Sequence, residues 1–294
     1  MAQLISKVQY KIFETGEFVE IRERGFEETI ALINSYPWNT EREKIEISLT
    51  NPSITIEGKH NDFLKLSVYY HQKFALHYFD DKQTLYTRSF THLQDAFPFI
   101  QMFFGQVPFV PTGFRKENTL FQSNLKHFVT QDFRYFLTPG SIRKYFWSTC
   151  SFSSIMSVIF IFTGFKFASF SMPAWFWLWL LAMFIAMGGG VHLVFFFRYV
   201  KYARGKIFVM SRGNDVFYFG EKDNPVKYNK KDLLNYTIKM VRGSRNPYSV
   251  FAVAKLNLKD GTIIQIPNIL VGDSEIAHKL YAYKCVIDQG VPLL

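Results

Sequence analysis

Residues 145–165, YFWSTCSFSSIMSVIFIFTGF, and 174–197, AWFWLWLLAMFIAMGGGVHLVFFF, decide how this chain is read. The first run has no charged residue in 21 positions, and the second has none in 24 apart from His192. As helices they would reach roughly 31 and 36 Å at 1.5 Å per residue, enough to cross a hydrocarbon core of ~30 Å. This predicts a transmembrane hairpin. Arg143 and Lys144 precede the first run, and Arg198, Lys201, Arg204 and Lys206 follow the second, while the connection KFASFSMP carries only Lys166. Basic residues gather on the cytoplasmic side of spans, so both termini are expected in the cytoplasm, with the hairpin in the inner membrane. Pro173 suits the first turn of the second helix, and Trp175, Trp177 and Trp179 suit the outer interface. Gly188, Gly189 and Gly190 offer a helix-packing surface or a hinge. His192 is read as reaching interfacial water, with a proton site as the alternative. No Asp, Glu, Lys or Arg lies within the runs, which weighs against an ion pathway.

Outside the apolar block the composition changes. The chain has 294 residues, room for about two domains of ~100–200 residues each. Its formal net charge of +10 is unevenly spread. Residues 1–105 carry 11 Lys/Arg against 14 Asp/Glu, and residues 198–294 carry 16 against 8. Basic excess beside an apolar block is what a segment near anionic lipid carries, so an anionic-lipid partner is expected and no nucleic-acid partner is inferred. Cys150 and Cys285 have no zinc or redox spacing and are read as buried free thiols. The start, MAQLISKVQYKIFETGEF, has no long apolar stretch, so no cleaved signal peptide is expected.

Residues 1–105 read as an α+β domain. Val8–Arg22 alternates as a hairpin, with Thr15-Gly16 as its turn, and Gly25–Tyr36 forms a helix that Pro37 stops. Strands are expected over Lys44–Leu49, Ser53–Glu57, Phe63–Tyr70, Lys73–Phe79 and Thr84–Arg88. A capping box at Thr91 and Gln94 opens a last helix. Its Leu93, Ala96, Phe97, Ile100, Phe103 and Phe104 form an apolar stripe that covers the sheet. Glu27-Glu28 and Asp80-Asp81 do not converge as an acid–base pair would. His60, His71, His77 and His92 are read as solvated. Residues 106–144 form a basic linker. There Leu125, Phe128, Val129, Phe133 and Phe136 fall at helical spacing, the mark of an amphipathic juxtamembrane helix or of a helix packed on a soluble domain.

Residues 206–294 read as strands closed by one helix. Strand candidates are Lys206–Ser211, Asp215–Gly220, Pro225–Tyr228, Asn235–Arg242, Ser249–Leu258, Thr262–Pro267 and Asn268–Val271. Ser274 caps a helix striped by Ile276, Leu280, Tyr283 and Ile287. The stretches RYVKYARGKIFVMSRGNDVFYFG, VKYNKKDLLNYTI, LKDGTIIQIPN and SEIAHKLYAYKCVID resemble the bacterial PH-like domains that follow a two-helix hairpin, the YcxB-like families among them. The resemblance spans about Tyr145–Gly290. It implies an α+β multidomain membrane protein: an N-terminal α+β domain, a transmembrane hairpin, and a C-terminal PH-like β-barrel with one terminal helix. In eukaryotic PH domains, basic residues in an early strand–loop–strand bind phosphoinositides. Here the Arg212-Gly213-Asn214 turn supplies one arginine. A second cluster, Lys239, Arg242 and Arg245, is the candidate for lipid headgroups, with a solvated basic face as the alternative. Lys227, Lys230 and Lys231 are read in the same two ways.

No P-loop, GxSxG, zinc spacing or dinucleotide fingerprint is present, so no catalytic residue, metal or cofactor is assigned and no enzyme is expected. The function expected is a membrane-anchored scaffold that presents two cytoplasmic domains to a protein partner. By analogy this extends to an accessory or immunity protein of a bacterial toxin or secretion system. The alternatives are an effector or channel whose hairpins form a homo-oligomer through Gly188–Gly190, and an anionic-lipid sensor.

Overall fold

Strands dominate the fold. The computed structural model describes residues 2–43, 45–105, 109, 112–117, 124–149, 155, 162, 173, 175–176, 178–179, 182, 190–241 and 247–294. The chain divides into two units, Met1–Asp132 and Phe133–Leu294.

Period-two alternation builds the first unit. Its strands are β1 (Leu4–Gln9), β2 (Val19–Arg24), β3 (Ser53–Glu57), β4 (Phe63–Val68), β5 (Phe74–Phe79), β6 (Leu85–Phe90) and β7 (Arg115–Lys116). They form one antiparallel sheet in the order β2-β1-β3-β4-β5-β6-β7. Val8, Ile54, Ile56, Leu64, Leu66, Leu76 and Tyr78 pack on one face against α1 (Phe26–Ser35), α2 (Trp38–Arg42) and α3 (Phe97–Phe104). Leu93 and Phe97 pack at the margin of this core, and Ala96, Ile100, Phe103 and Phe104 lie within it. The opposite face is also buried, because Phe128 and Leu125 close over Phe63, Phe79 and Leu85. The β1–β2 loop turns through Gly16 at φ +77°, where a side chain is strained, and the Gln131 N–H donates to the Gly16 carbonyl at 2.9 Å.

Local departures from the expected elements have local causes. Residues 45–49 form no strand, although Ile45 and Ile47 still pack on the core. The box before α3 is shifted by one residue, since the His92 N–H donates to Asp95 Oδ2 at 3.3 Å. The expected amphipathic helix is one 3₁₀ turn, Leu125–His127. Phe128 leaves that turn to fill the first unit, while Arg134–Phe136 is already a strand of the second.

In the second unit, β8 (Arg134–Phe136), β9 (Lys206–Val209), β10 (Val216–Glu221) and β11 (Asn224–Asn229) form an antiparallel sheet. A second sheet has the order β14-β13-β12-β15, from β12 (Leu233–Met240), β13 (Ala252–Leu258), β14 (Ile263–Pro267) and β15 (Cys285–Gln289). Phe208, Phe217 and Phe219 from the first sheet share a core with Tyr236, Ile238, Leu256 and Ile266 from the second, and with Ile276 of the helix Asp273–Lys279. Between β8 and β9 stand a helical stretch, residues 139–149, and the helix Gly190–Ala203. In chain order these two short helices are α4 (Gly190–Ala203) and α5 (Asp273–Lys279).

Two expectations are corrected here. The α+β membrane fold with spans at 145–165 and 174–197 gives way, among the described residues, to a mostly β architecture of three sheets. Among the described residues no helix is long and apolar enough to cross a membrane. One face of α4 has a protein partner: Phe195, Phe196, Tyr199, Val200 and Ala203 pack with Phe251, Val253 and Ile269. His192, expected at interfacial water, is buried with its ring 5.8 Å from Phe251. Much of 150–189 lies outside the described residues, Trp177 included, while Trp175 and Trp179 are exposed. The inner-membrane placement with cytoplasmic termini rests on the two spans and falls with them. The second correction is at the C-terminus. The closing helix ends at Lys279, the chain turns, and β-branched Val286 and Ile287 join β12 as a strand. Cys285, expected buried, is exposed on that strand, and Cys150 lies outside the described residues.

Candidate functional site

One end of the second unit collects cations. The 139–149 stretch and α4 both stand there, where β8 leaves and β9 enters. Phe146 meets Phe196 edge-on at 5.3 Å, the Tyr145 hydroxyl donates to Asn268 Oδ1 at 2.7 Å, and the Tyr202 hydroxyl donates to the Gln265 carbonyl at 3.1 Å. Arg143, Lys144, Arg198, Lys201 and Arg204 are exposed on these helices, and none makes an ion pair with a described residue. Lys206 opens β9 with its ammonium 3.3 Å from the Tyr202 ring centroid. Burial lowers its pKa, and Glu221 partly opposes this. The β10–β11 turn adds Lys222, whose N–H donates to the Gly205 carbonyl at 2.7 Å and whose ammonium lies 4.9 Å from the Phe136 ring. Trp147, Val194 and Phe197 are exposed on the same helices. The result is a basic collar around a partly apolar surface.

The other candidates fare differently. Lys239 lies in β12 with its ammonium 3.8 Å from Asp288 Oδ2. Arg242 and Arg245 lie outside the described residues, so the expected trio is not seen assembled. Gly188 and Gly189 also lie outside them, and Gly190 is the first described residue of α4. Lys230 is not a solvated charge. It is buried, donating to the Ser211 and Arg212 carbonyls at 2.6 and 2.9 Å, and so staples two loops. Lys231 pairs with Asp215 at 2.9 Å. A shallow cleft of about 520 Å³ beside Lys227 and Lys259 also carries Asp232 and Asp260, so its charge is mixed. Among the described residues no group of three or more His, Cys, Asp or Glu side chains is placed to hold a metal ion.

The first unit holds a feature that sequence reasoning missed. Its second sheet face buries Lys7, Gln9, Ser53, Thr55, Lys65, Ser67 and His77. Lys65 is wholly buried, and its ammonium donates to Gln9 Oε1 at 2.9 Å and to the His127 carbonyl at 3.0 Å. Burial, with Lys7 adding repulsion, brings its pKa down to about 7. Lys7 reaches Glu57 at 3.4 Å, and burial lowers its pKa despite that carboxylate. His77 was expected in solvent, yet it sits between Ser67 Oγ at 3.1 Å and Thr87 Oγ1 at 3.0 Å. Burial, then Lys65, lowers its pKa to about 3 and holds it neutral. His127 bonds Thr50 Oγ1 at 2.7 Å, and burial, Lys65 and Lys126 lower its pKa to about 4. A lysine tuned to neutrality resembles a nucleophile in its chemistry. Here two acceptors hold the amine and no solvent reaches it, so the layer specifies packing. The available signal was Lys65 between Leu64 and Leu66, next to Ser67, with polar residues at every second position of three strands. An exposed face gives the same pattern.

Residues 134–279 match a family model described as PH domain. Neither a curated protein nor a solved structure matches the chain at a significant level. The match begins at β8, ahead of the apolar block, and ends at Lys279 with α5. Residues 137–205 connect β8 to β9 within the matched stretch.

Proposed function

We propose, from the PH-like domain at residues 134–279, that this protein is a non-enzymatic binding protein whose PH-like domain recognises anionic lipid headgroups. The collar carries the reading: Arg143, Lys144, Arg198, Lys201 and Arg204 are exposed on two helices that touch through Phe146 and Phe196, without ion-pair partners among the described residues. Phosphoinositide-binding PH domains use basic residues on an early strand–loop–strand. In this chain the connection between β8 and β9 is the long segment 137–205, and its two ends supply those cations. The exposed Trp147, Val194 and Phe197 give the collar an amphipathic contact surface.

Each exposed cation near an anionic surface contributes about 1 kcal/mol. Reversing three, in R198E/K201E/R204E, should weaken binding by more than about a hundredfold. The assay is co-sedimentation of the full-length protein with phosphatidylcholine vesicles that do or do not contain phosphatidylserine or a phosphoinositide. Binding should need the anionic lipid and fall as salt rises. K227E/K259E, at the mixed-charge cleft, should bind as the parent does. Unchanged binding by the triple variant, or no preference for anionic vesicles, overturns the proposal.

A further inference from the structure

The edge of β12 carries a strand that the matched domain does not include. The PH-domain match ends at Lys279, the last residue of α5, and β15 follows a turn beyond it. In the order β14-β13-β12-β15, β12 would be an edge strand without β15. The pairing is parallel, from Tyr236 opposite Cys285 to Met240 opposite Gln289, and it is the one parallel pairing among the described strands. Its ends are pinned by Tyr236 N–H to the Lys284 carbonyl at 3.2 Å and Gly290 N–H to the Met240 carbonyl at 3.3 Å.

What holds β15 is almost entirely backbone. All five of its residues are exposed, including Val286 and Ile287. Burial of side chains, the main source of strand stability, is therefore largely missing, and parallel ladders are slightly weaker per residue than antiparallel ones. By contrast β13, on the other side of β12, buries Ala252, Val253, Ala254, Leu256 and Leu258. The single charged side chain of β15, Asp288, lies opposite Lys239 in the register, 3.8 Å from its ammonium. Lys255 sits on the neighbouring strand in register with Thr237. The edge therefore presents unsatisfied N–H and C=O groups whenever β15 lifts, beside two lysines.

We infer that the β12 edge is a strand-addition site for an extended acidic segment of a partner protein, and that β15 is its resident, displaceable occupant. The partner segment supplies the backbone hydrogen bonds that β15 makes now, with a carboxylate taking the place of Asp288 at Lys239. This mode reads backbone for affinity and alternate side chains for specificity. The remainder of the tail stays anchored, since the Tyr199 hydroxyl donates to the Pro292 carbonyl at 2.8 Å and Leu294 packs beside Phe195 and Phe196. The site is separate from the basic collar and does not depend on the lipid reading.

The test uses the chain ended after Lys284, with a fluorescein-labelled peptide of residues 285–294 as probe, followed by anisotropy. The shortened chain should bind the peptide saturably. The full-length chain should bind it about tenfold more weakly or worse, because its own tail competes at high effective concentration. A peptide carrying Asp288→Lys should bind the shortened chain more weakly than the parent peptide. A folded, shortened chain that ignores the peptide, or that binds the parent and Asp288→Lys peptides alike, overturns the inference. Hydrogen exchange on the intact protein decides the matter if the shortened chain fails to fold. Amides of 285–289 should exchange far faster than those of 252–258, and equal protection overturns the inference. A disulfide formed between copies of a Lys239→Cys/Asp288→Cys protein would assign the edge to a second copy of this chain, and that too would overturn it.

Discussion

Replacing Lys65 by Met tests the buried polar layer, and the magnitudes decide which measurement to trust. Methionine keeps an unbranched stem of similar length and removes the ammonium. A folded-state pKa of about 7 against an ordinary 10.5 amounts to about 5 kcal/mol at 1.36 kcal/mol per unit. That is the upper bound on what the charged form costs at low pH. Against it, Gln9 Oε1 and the His127 carbonyl lose their donor, at about 1–3 kcal/mol for each buried acceptor left alone. The two effects nearly cancel at pH 7, so the change in stability there discriminates little. The pH dependence does discriminate. Above 10.5 the lysine is neutral in both states and folding costs no proton. As pH falls towards 7, the unfolded chain binds a proton that the folded chain refuses, so stability declines; below 7 the penalty is constant. The parent should therefore gain about 2 kcal/mol relative to K65M between pH 7 and pH 9. Urea unfolding followed by tryptophan emission measures this, with Trp38→Phe identifying the transition of the first unit. Stability differences between parent and K65M that are the same at pH 7, 8 and 9 would refute the neutral-lysine argument.

Two further substitutions probe the cover of that layer. Phe128 is fully buried and stacked on Phe79 at 5.1 Å, so Phe128→Ala should cost the first unit about 3–5 kcal/mol by urea titration. A loss under about 1 kcal/mol would mean that this residue does not close the sheet face. Gly16→Ala should cost about 1–2 kcal/mol from its left-handed backbone alone, and more because the new Cβ meets the Gln131 side chain. In the Gly16→Ala/Gln131→Gly double variant, which also removes the Gln131 Cβ that would lie 2.9 Å from the new methyl, the steric part should return and the backbone part at residue 16 should not; complete recovery would contradict the assigned conformation.

The sequence by itself determined most strands and the order of the elements. β3 to β6 and β9 to β14 lie within two or three residues of where alternation and turn residues put them, because side-chain period is a local property that a strand cannot hide. The resemblance to a PH-like domain was legible for the same reason. Three things belonged to the tertiary structure. Polar residues on alternate positions say that a face is not apolar, but whether it meets water depends on what folds over it, and Phe128 comes from more than forty residues beyond β5 to cover Phe63, Phe79 and the Lys65 ammonium. An uncharged run says that a segment must leave water, but not what receives it; Phe195 and Phe196 of the second run are received by Phe251 and its neighbours. The basic residues flanking that run were found as a list, and became a candidate site only when the three-residue β8 paired with β9 across residues 137–205. A strand so short carries no readable period, and long-range pairing leaves no mark in the local sequence.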